Sequence, residues 1–98
     1  MIITHRSFLL QNSQKEHARV HVNPVGELDI DIVESEQHHD TDFEHLVFKR
    51  SATGTVVAGI DKNNQTHWHY TLSNTDADEL NTLVKQANED FEQLMRDL

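Results

Sequence analysis

Two short alternating segments separated by a four-residue turn constrain the fold of this chain most. Residues 18–22 and 27–32 alternate apolar with polar side chains, which is the pattern of strands with one buried face. Between them, Asn23-Pro24-Val25-Gly26 has the composition of a tight turn. If Val22 pairs with Leu28, all the apolar side chains fall on one face, and a shift by one residue loses this agreement. The sequence therefore predicts an antiparallel hairpin with this register.

The same register also determines the opposite, polar face of the hairpin. It places His21 across from Asp29 and Arg19 across from Asp31. Cross-strand pairs of opposite charge contribute about 0.2–1 kcal/mol. A histidine beside a carboxylate is also an acid–base pair, but such surface pairs are common and no nucleophile motif accompanies this one. We therefore predict a non-enzymatic protein with no catalytic residues, and a small enzyme using His21 and Asp29 is a further alternative.

Other segments rich in β-branched and aromatic residues are predicted to be strands. They are residues 2–10, 45–50, 55–60 and 67–72. The register of the last strand is open, because a five-residue loop pairs Trp68 with Ala58, whereas a tight turn at Asn63-Asn64 pairs it with Gly59. Short connections favour antiparallel order, since parallel neighbours need crossover segments.

The C-terminal segment, residues 75–98, is predicted to form a long helix. Thr75 suits the N-cap, and acidic residues fill the first turn, where the helix dipole favours negative charge. The apolar residues form one stripe at helical spacing: Leu80, Leu83, Val84, Ala87, Phe91, Leu94 and Leu98. This stripe predicts packing against the sheet. Its spacing also suits a coiled-coil seam, from which a homodimer would follow.

Together these segments predict a single α+β domain over residues 1–98. We expect a meandering antiparallel sheet of about five to six strands, with one long C-terminal helix packed on one face. Because one helix is too narrow to cover so many strands, either the sheet curls around the helix or another chain covers the remaining apolar face.

The composition excludes several classes of site and partner. The chain has no cysteine, which excludes disulfides, thiol catalysis and cysteine-ligated metals, and its three glycines form no phosphate-binding motif. The formal net charge of −9 disfavours nucleic acid and anionic membranes as partners. No export signal and no membrane-spanning run is recognisable, so we expect a cytoplasmic protein that needs no cofactor.

The acidic residues are concentrated in one part of the chain. Eight of the seventeen lie within residues 27–44, where no lysine or arginine occurs: Glu27, Asp29, Asp31, Glu34, Glu36, Asp40, Asp42 and Glu44. Such a run is typical of a solvated strand face that continues into a polar loop. It is also suited to docking a basic protein by long-range attraction. We therefore predict a small acidic protein-binding module of the inhibitor, immunity or regulatory type, by analogy of composition alone.

The histidines suggest metal or small-ligand binding as the alternative function. His67 and His69 are two residues apart in a predicted strand, so they are expected to share a face, and His21 from another strand could complete a three-imidazole site. A second set lies in the predicted polar loop and at its end, where His38, His39 and His45 occur among carboxylates, and this combination suits zinc or nickel. For both sets, solvent-facing histidines without a metal are the simpler interpretation.

Overall fold

The computed structural model describes residues 3–97. These residues form seven strands, one 3-10 turn and one long helix. In chain order these are β1 (Thr4–Leu9), β2 (His17–Asn23), β3 (Glu27–Ile32), β4 (Gln37–Asp42), the 3-10 turn (Phe43–His45), β5 (Leu46–Ser51), β6 (Gly54–Ile60), β7 (Thr66–Leu72) and α1 (Asn74–Arg96). The predicted α+β class, with antiparallel strands and a long C-terminal helix, is confirmed. Ile2, the start of the first predicted strand, lies outside the described residues.

The first sheet has the order β1-β2-β3-β4, and all of its pairs are antiparallel. The hairpin β2–β3 has the predicted register, with Val22 opposite Leu28 and His21 opposite Asp29. Alternation along β3 buries Leu28 and its apolar neighbours and leaves the acidic residues between them partly exposed. The turn chemistry and the period of the side chains were therefore sufficient to fix this part of the fold.

The second sheet has the order β5-β6-β7, and it is also antiparallel. Trp68 pairs with Gly59, as the tight-turn alternative predicts, and a β-bulge follows at Gly59 and Ile60. A β-carbon at Gly59 would lie only 2.3 Å from Nε1 of Trp68, so the close packing of the indole on β6 requires glycine.

The prediction of one continuous meandering sheet is wrong, because the strands form one sheet of four and another of three. The prediction of a polar loop after β3 is also wrong, because residues 37–42 form the strand β4. Its inward positions carry Gln37, His39 and Thr41 rather than apolar residues, so the alternation that marks a half-buried strand is missing. The 3-10 turn then leads the chain into the second sheet, and its Phe43 N–H donates to the carbonyl of Gly26.

Helix α1 packs against β2 of the first sheet and against all strands of the second sheet. Its N-cap is Ser73, whose side chain accepts a hydrogen bond from the backbone N–H of Asp76, so the prediction of Thr75 as N-cap is wrong. The buried helix residues are Ala77, Leu80, Val84 and Ala87. The predicted stripe is thus used for the core over its first half, whereas Leu94 is 41% exposed. Leu98, its last member, lies outside the described residues.

Both sheets and the helix contribute to a single hydrophobic core. At the end of the first strand, the backbone N–H of Gln11 donates to the carbonyl of Thr71 and links the two sheets. Helix α1 therefore packs against strands of both sheets, and the core that it covers draws side chains from both.

Candidate functional site

The outer face of the first sheet is polar on β2, β3 and β4, because the apolar side chains of β2 and β3 point to the core. On β3 and β4 this outer face carries five carboxylates, which we call the acidic face: Glu27, Asp29, Asp31, Asp40 and Asp42. The other predicted acidic residues lie at its ends. Glu34 and Glu36 are exposed in the turn between β3 and β4, and Glu44 is exposed in the 3-10 turn.

Like charges are placed directly opposite each other within the acidic face. Asp29 pairs with Asp40 across the two strands, and Glu27 pairs with Asp42. Directly opposed like charges destabilise a sheet. The environment of Glu27 reflects this: burial, followed by the charges of Asp29, Asp40 and Asp42, raises the pKa of its carboxyl. A bound cation, from a metal or from a partner protein, would relieve this repulsion.

Asp31 forms a close contact with a histidine on the neighbouring strand. His38 Nδ1 lies 2.5 Å from Asp31 Oδ1. The hydrogen bond to Asp31 raises the pKa of the His38 imidazole, and the charges of nearby aspartates act in the same direction. Arg19 does face Asp31 on the other side, as predicted, but the hydrogen bond of Asp31 is made to His38.

A groove of about 610 Å³ runs along β4 between the two sheets, and we call it the β4 groove. Four imidazoles and four carboxylates line it: His38, His39, His45, His67, Glu27, Asp40, Asp42 and Asp61. The pKa values of Glu27 and His38 in this groove are raised, whereas those of His39 and Asp61 are lowered. The carboxyl of Asp61 accepts hydrogen bonds from the backbone N–H groups of Gln65 and Asn63 in the following turn. These bonds lower its pKa, and the bond from Gln65 has the largest effect.

Trp68 of β7 lines the β4 groove, and His39, which also lines it, contacts both Trp68 and Tyr70. The imidazole of His39 stacks on Trp68 with ring centroids 5.7 Å apart, and its Nε2 lies 2.9 Å from the hydroxyl of Tyr70. Tyr70 also donates to Gln37 over 3.0 Å. Burial lowers the pKa of His39, and the neighbouring His38 acts in the same direction, which favours the neutral form of the imidazole. A neutral imidazole is the form that binds metals and accepts protons.

Two groups of possible metal ligands occur among the described residues. Asp29, His38 and Asp40 each offer one ligand atom, and these atoms lie within 4.8 Å of one another. Asp42, Glu44 and His45 form the second such group. The sequence predicted His38 in a loop and His45 at the start of a strand. The closeness of these histidines to acidic residues in the sequence was the signal for a possible metal site. Only the pairing of β3 with β4 brings Asp29 next to His38 and Asp40.

The three histidines predicted as metal ligands lie in different places. His21 is on β2, where its ring meets that of His5 at a centroid distance of 4.3 Å. His67 lines the β4 groove, whereas His69 lines a separate concavity on the outer side of the second sheet. The β-bulge at Gly59 and Ile60 places the extra residue at His67, which changes the simple alternation between His67 and His69. Among residues 3–97, these three histidines are not part of a common ligand group.

The predicted acid–base pair, His21 and Asp29, lies on the neighbouring strands β2 and β3. His21 faces Asp29 across β2 and β3 as predicted. His21 lines a small concavity of about 240 Å³ together with His5, Ser7 and two arginines. Asp29 instead belongs to the acidic face, so the two side chains of this pair adjoin different surface features.

Within residues 3–97, no helix combines the length and the apolar character needed to cross a bilayer. The chain matches no family model, no curated protein and no solved structure.

Proposed function

We propose that this protein is a small acidic binding module, of the inhibitor, immunity or regulatory type, whose acidic face docks a basic protein partner. The observation that carries the proposal is the direct opposition of Asp29 to Asp40 and of Glu27 to Asp42 on neighbouring strands. Repulsion of this kind weakens the free protein and is relieved when cationic groups neutralise the face. No lysine or arginine occurs within residues 27–44 to do so from the same hairpin.

The location of these carboxylates on a sheet supports docking better than a mobile loop would. Strand pairing and the core beneath β3 hold the backbone that carries these carboxylates in place, so little backbone freedom is lost on binding. The net charge of −9 adds long-range attraction for a basic partner, which raises the rate of association at low ionic strength.

Two exposed apolar side chains lie on the same sheet as this polar surface or next to it. Leu9 and Val33 are each 40% exposed and neighbour His17, through the pairing of Leu9 with His17 and a hydrogen bond from Val33 N to the His17 carbonyl. Exposed apolar residues supply affinity in protein interfaces, whereas rim charges mainly supply rate and specificity. We assign Leu9 and Val33 as the apolar anchor of the docking surface, and the cytoplasm stays our prediction for the compartment.

The test compares two variants that carry the same net charge. The face variant, Glu27→Gln with Asp42→Asn and Glu44→Gln, removes three charges at or beside the acidic face. The control variant, Glu89→Gln with Asp90→Asn and Glu92→Gln, removes three charges from exposed positions of α1. Each protein is used to co-purify partners from source cells, and the affinity for each recovered protein is then measured over a series of salt concentrations.

The proposal expects a basic protein that binds the natural chain and the control variant, binds the face variant at least about tenfold more weakly, and dissociates as salt is raised. Equal binding to the two variants would show that net charge alone attracts the partner. Recovery of only neutral or acidic partners, without salt dependence, would also overturn the proposal.

A further inference from the structure

We propose that Asp29, His38 and Asp40 form a binding site for a divalent transition-metal ion such as zinc. The inference goes beyond the docking function and does not rest on it. The three side chains project from the same outer face of β3 and β4, with Asp29 directly opposite Asp40 and His38 two residues from Asp40 along the same strand. One ligand atom from each lies within 4.8 Å of the other two.

The required adjustment of the ligands is small. Metal–ligand bonds of about 2.0–2.2 Å in a tetrahedral site place the ligand atoms roughly 3.3–3.6 Å apart. Side-chain rotation on an exposed strand surface can close the remaining distance without moving the backbone. The side chain of His38 is 56% exposed, which leaves room for a small change in its torsion angles while the hydrogen bond to Asp31 is kept.

Asp31 provides independent support, because it lies outside the ligand group and orients the histidine. Its Oδ1 lies 2.5 Å from Nδ1 of His38, which leaves Nε2 as the nitrogen for a metal. Histidine ligands in metal sites usually donate their second ring N–H to a carboxylate in this way, which fixes the tautomer and makes the ligating nitrogen more basic.

The two aspartates are also available for a cation. In the part of the chain that the structure describes, ion pairs with lysine, arginine or histidine involve other carboxylates and leave Asp29 and Asp40 without one. A divalent ion between them would replace the repulsion of the opposed charges by attraction to both. This relief is stronger for a small doubly charged ion than for a single distant lysine.

The ligand types select the class of metal. One imidazole with two carboxylates suits zinc and neighbouring transition-metal ions, whereas calcium prefers six to eight oxygen ligands at longer distances. Three protein ligands leave at least one coordination position open to water or to an external group. His38 and Asp40 also line the β4 groove, so a metal held by them would lie beside that groove.

The experiment is a zinc titration of the full chain, purified without a histidine tag and followed by calorimetry. Variants His38→Ala and Asp40→Asn remove ligands, and Asp31→Asn removes the charge that orients His38. His69→Ala is the matched control, because it removes an exposed strand histidine that lines a different concavity. The fluorescence of Trp68, the single tryptophan, verifies that each variant is folded.

We expect one tight zinc per chain. Loss of His38 or Asp40 should weaken this binding at least tenfold, Asp31→Asn should weaken it by about tenfold, and His69→Ala should leave it unchanged. Equal affinity of the His38→Ala variant and the natural chain would overturn the proposal. So would loss of the tightest zinc in His69→Ala, or the absence of binding up to millimolar zinc.

This design keeps the two proposals separate. His38→Ala removes a metal ligand but leaves all carboxylates of the acidic face, so it should weaken zinc binding at least about tenfold and preserve docking. The face variant keeps Asp29, His38 and Asp40, so it should weaken docking and preserve zinc binding. Docking is measured with a chelator present, so that bound metal does not reduce the charge of the face.

Discussion

The indole Nε1 of Trp68 donates a hydrogen bond to Oγ1 of Thr41 over 2.8 Å, and this contact joins β7 to β4 across the two sheets. Trp68 is almost completely buried, with 6% of its surface exposed. The bond connects residues that are 27 positions apart in the chain. It therefore helps to hold β4, and with it the acidic face and the β4 groove, against the rest of the molecule.

Replacing Thr41 by valine should destabilise the protein by about 1–2 kcal/mol. Valine keeps the shape of the side chain but leaves the buried indole N–H without its acceptor. Thr41→Ser retains the hydroxyl and should be closer to the natural chain. Urea unfolding followed by Trp68 fluorescence measures both variants, and equal free energies of unfolding for them would show that the hydroxyl is not important.

Replacing Ser73 by alanine should lower the free energy of unfolding by about 1 kcal/mol, because it removes the N-cap of α1. The Ser73 hydroxyl accepts the backbone N–H of Asp76 over 3.1 Å. Thr75→Ala is the matched control, and this exposed position inside the first turn should change stability by less than about 0.5 kcal/mol. A larger loss for Thr75→Ala, measured by thermal or urea unfolding, would mean that the helix begins later in solution.

Replacing Leu80 by alanine should destabilise the protein by about 2–5 kcal/mol, because Leu80 is 1% exposed in the shared core. Leu94→Ala has the same chemistry in the same helix but at a position that is 41% exposed. Its effect should stay below about 1 kcal/mol.

The same pair of variants tests the predicted homodimer. If α1 pairs with a second copy through its C-terminal half, Leu94→Ala should destabilise the protein strongly and in a concentration-dependent manner. Sedimentation of the natural chain and of Leu94→Ala over a range of concentrations distinguishes the two cases.

Glu34 should make stability depend on pH in the acidic range. The backbone N–H of His17 donates to Glu34 Oε1 over 2.7 Å, and His17 Nδ1 lies 2.5 Å from Oε2. The hydrogen bond from the His17 side chain, followed by that from its backbone, lowers the pKa of the Glu34 carboxyl below the ordinary 4.5. Because the folded-state pKa is depressed, the stabilisation is present above pH 4.5 and is lost as the pH falls through the folded-state value.

The Glu34→Gln variant removes this contribution. It should be less stable than the natural chain at neutral pH, and the difference between the two should shrink as the pH falls below the ordinary pKa of the carboxyl. Glu36→Gln, in the same exposed turn, is the control. Urea unfolding at a series of pH values measures the effect, and a difference that stays constant with pH would contradict the role of the ionised Glu34.

Local features were sufficient to predict the β2–β3 hairpin and the helix. The register of Val22 with Leu28 follows from side-chain alternation and turn length, both of which act within a few residues. The stripe of α1 likewise follows from helical periodicity. The acidic residues of β3 were predicted to share a face for the same reason, and they do.

The sequence by itself thus determined the α+β class, the β2–β3 register and the concentration of charge in residues 27–44. Only the tertiary structure decided that β4 is a strand, because its inward residues His39 and Thr41 are polar and are held by Tyr70 and Trp68 from the other sheet. Only the pairing of β4 with β3 places Asp40 and His38 beside Asp29. Local patterns report which face of a strand is apolar, but they carry no information about polar side chains whose partners lie about thirty residues away.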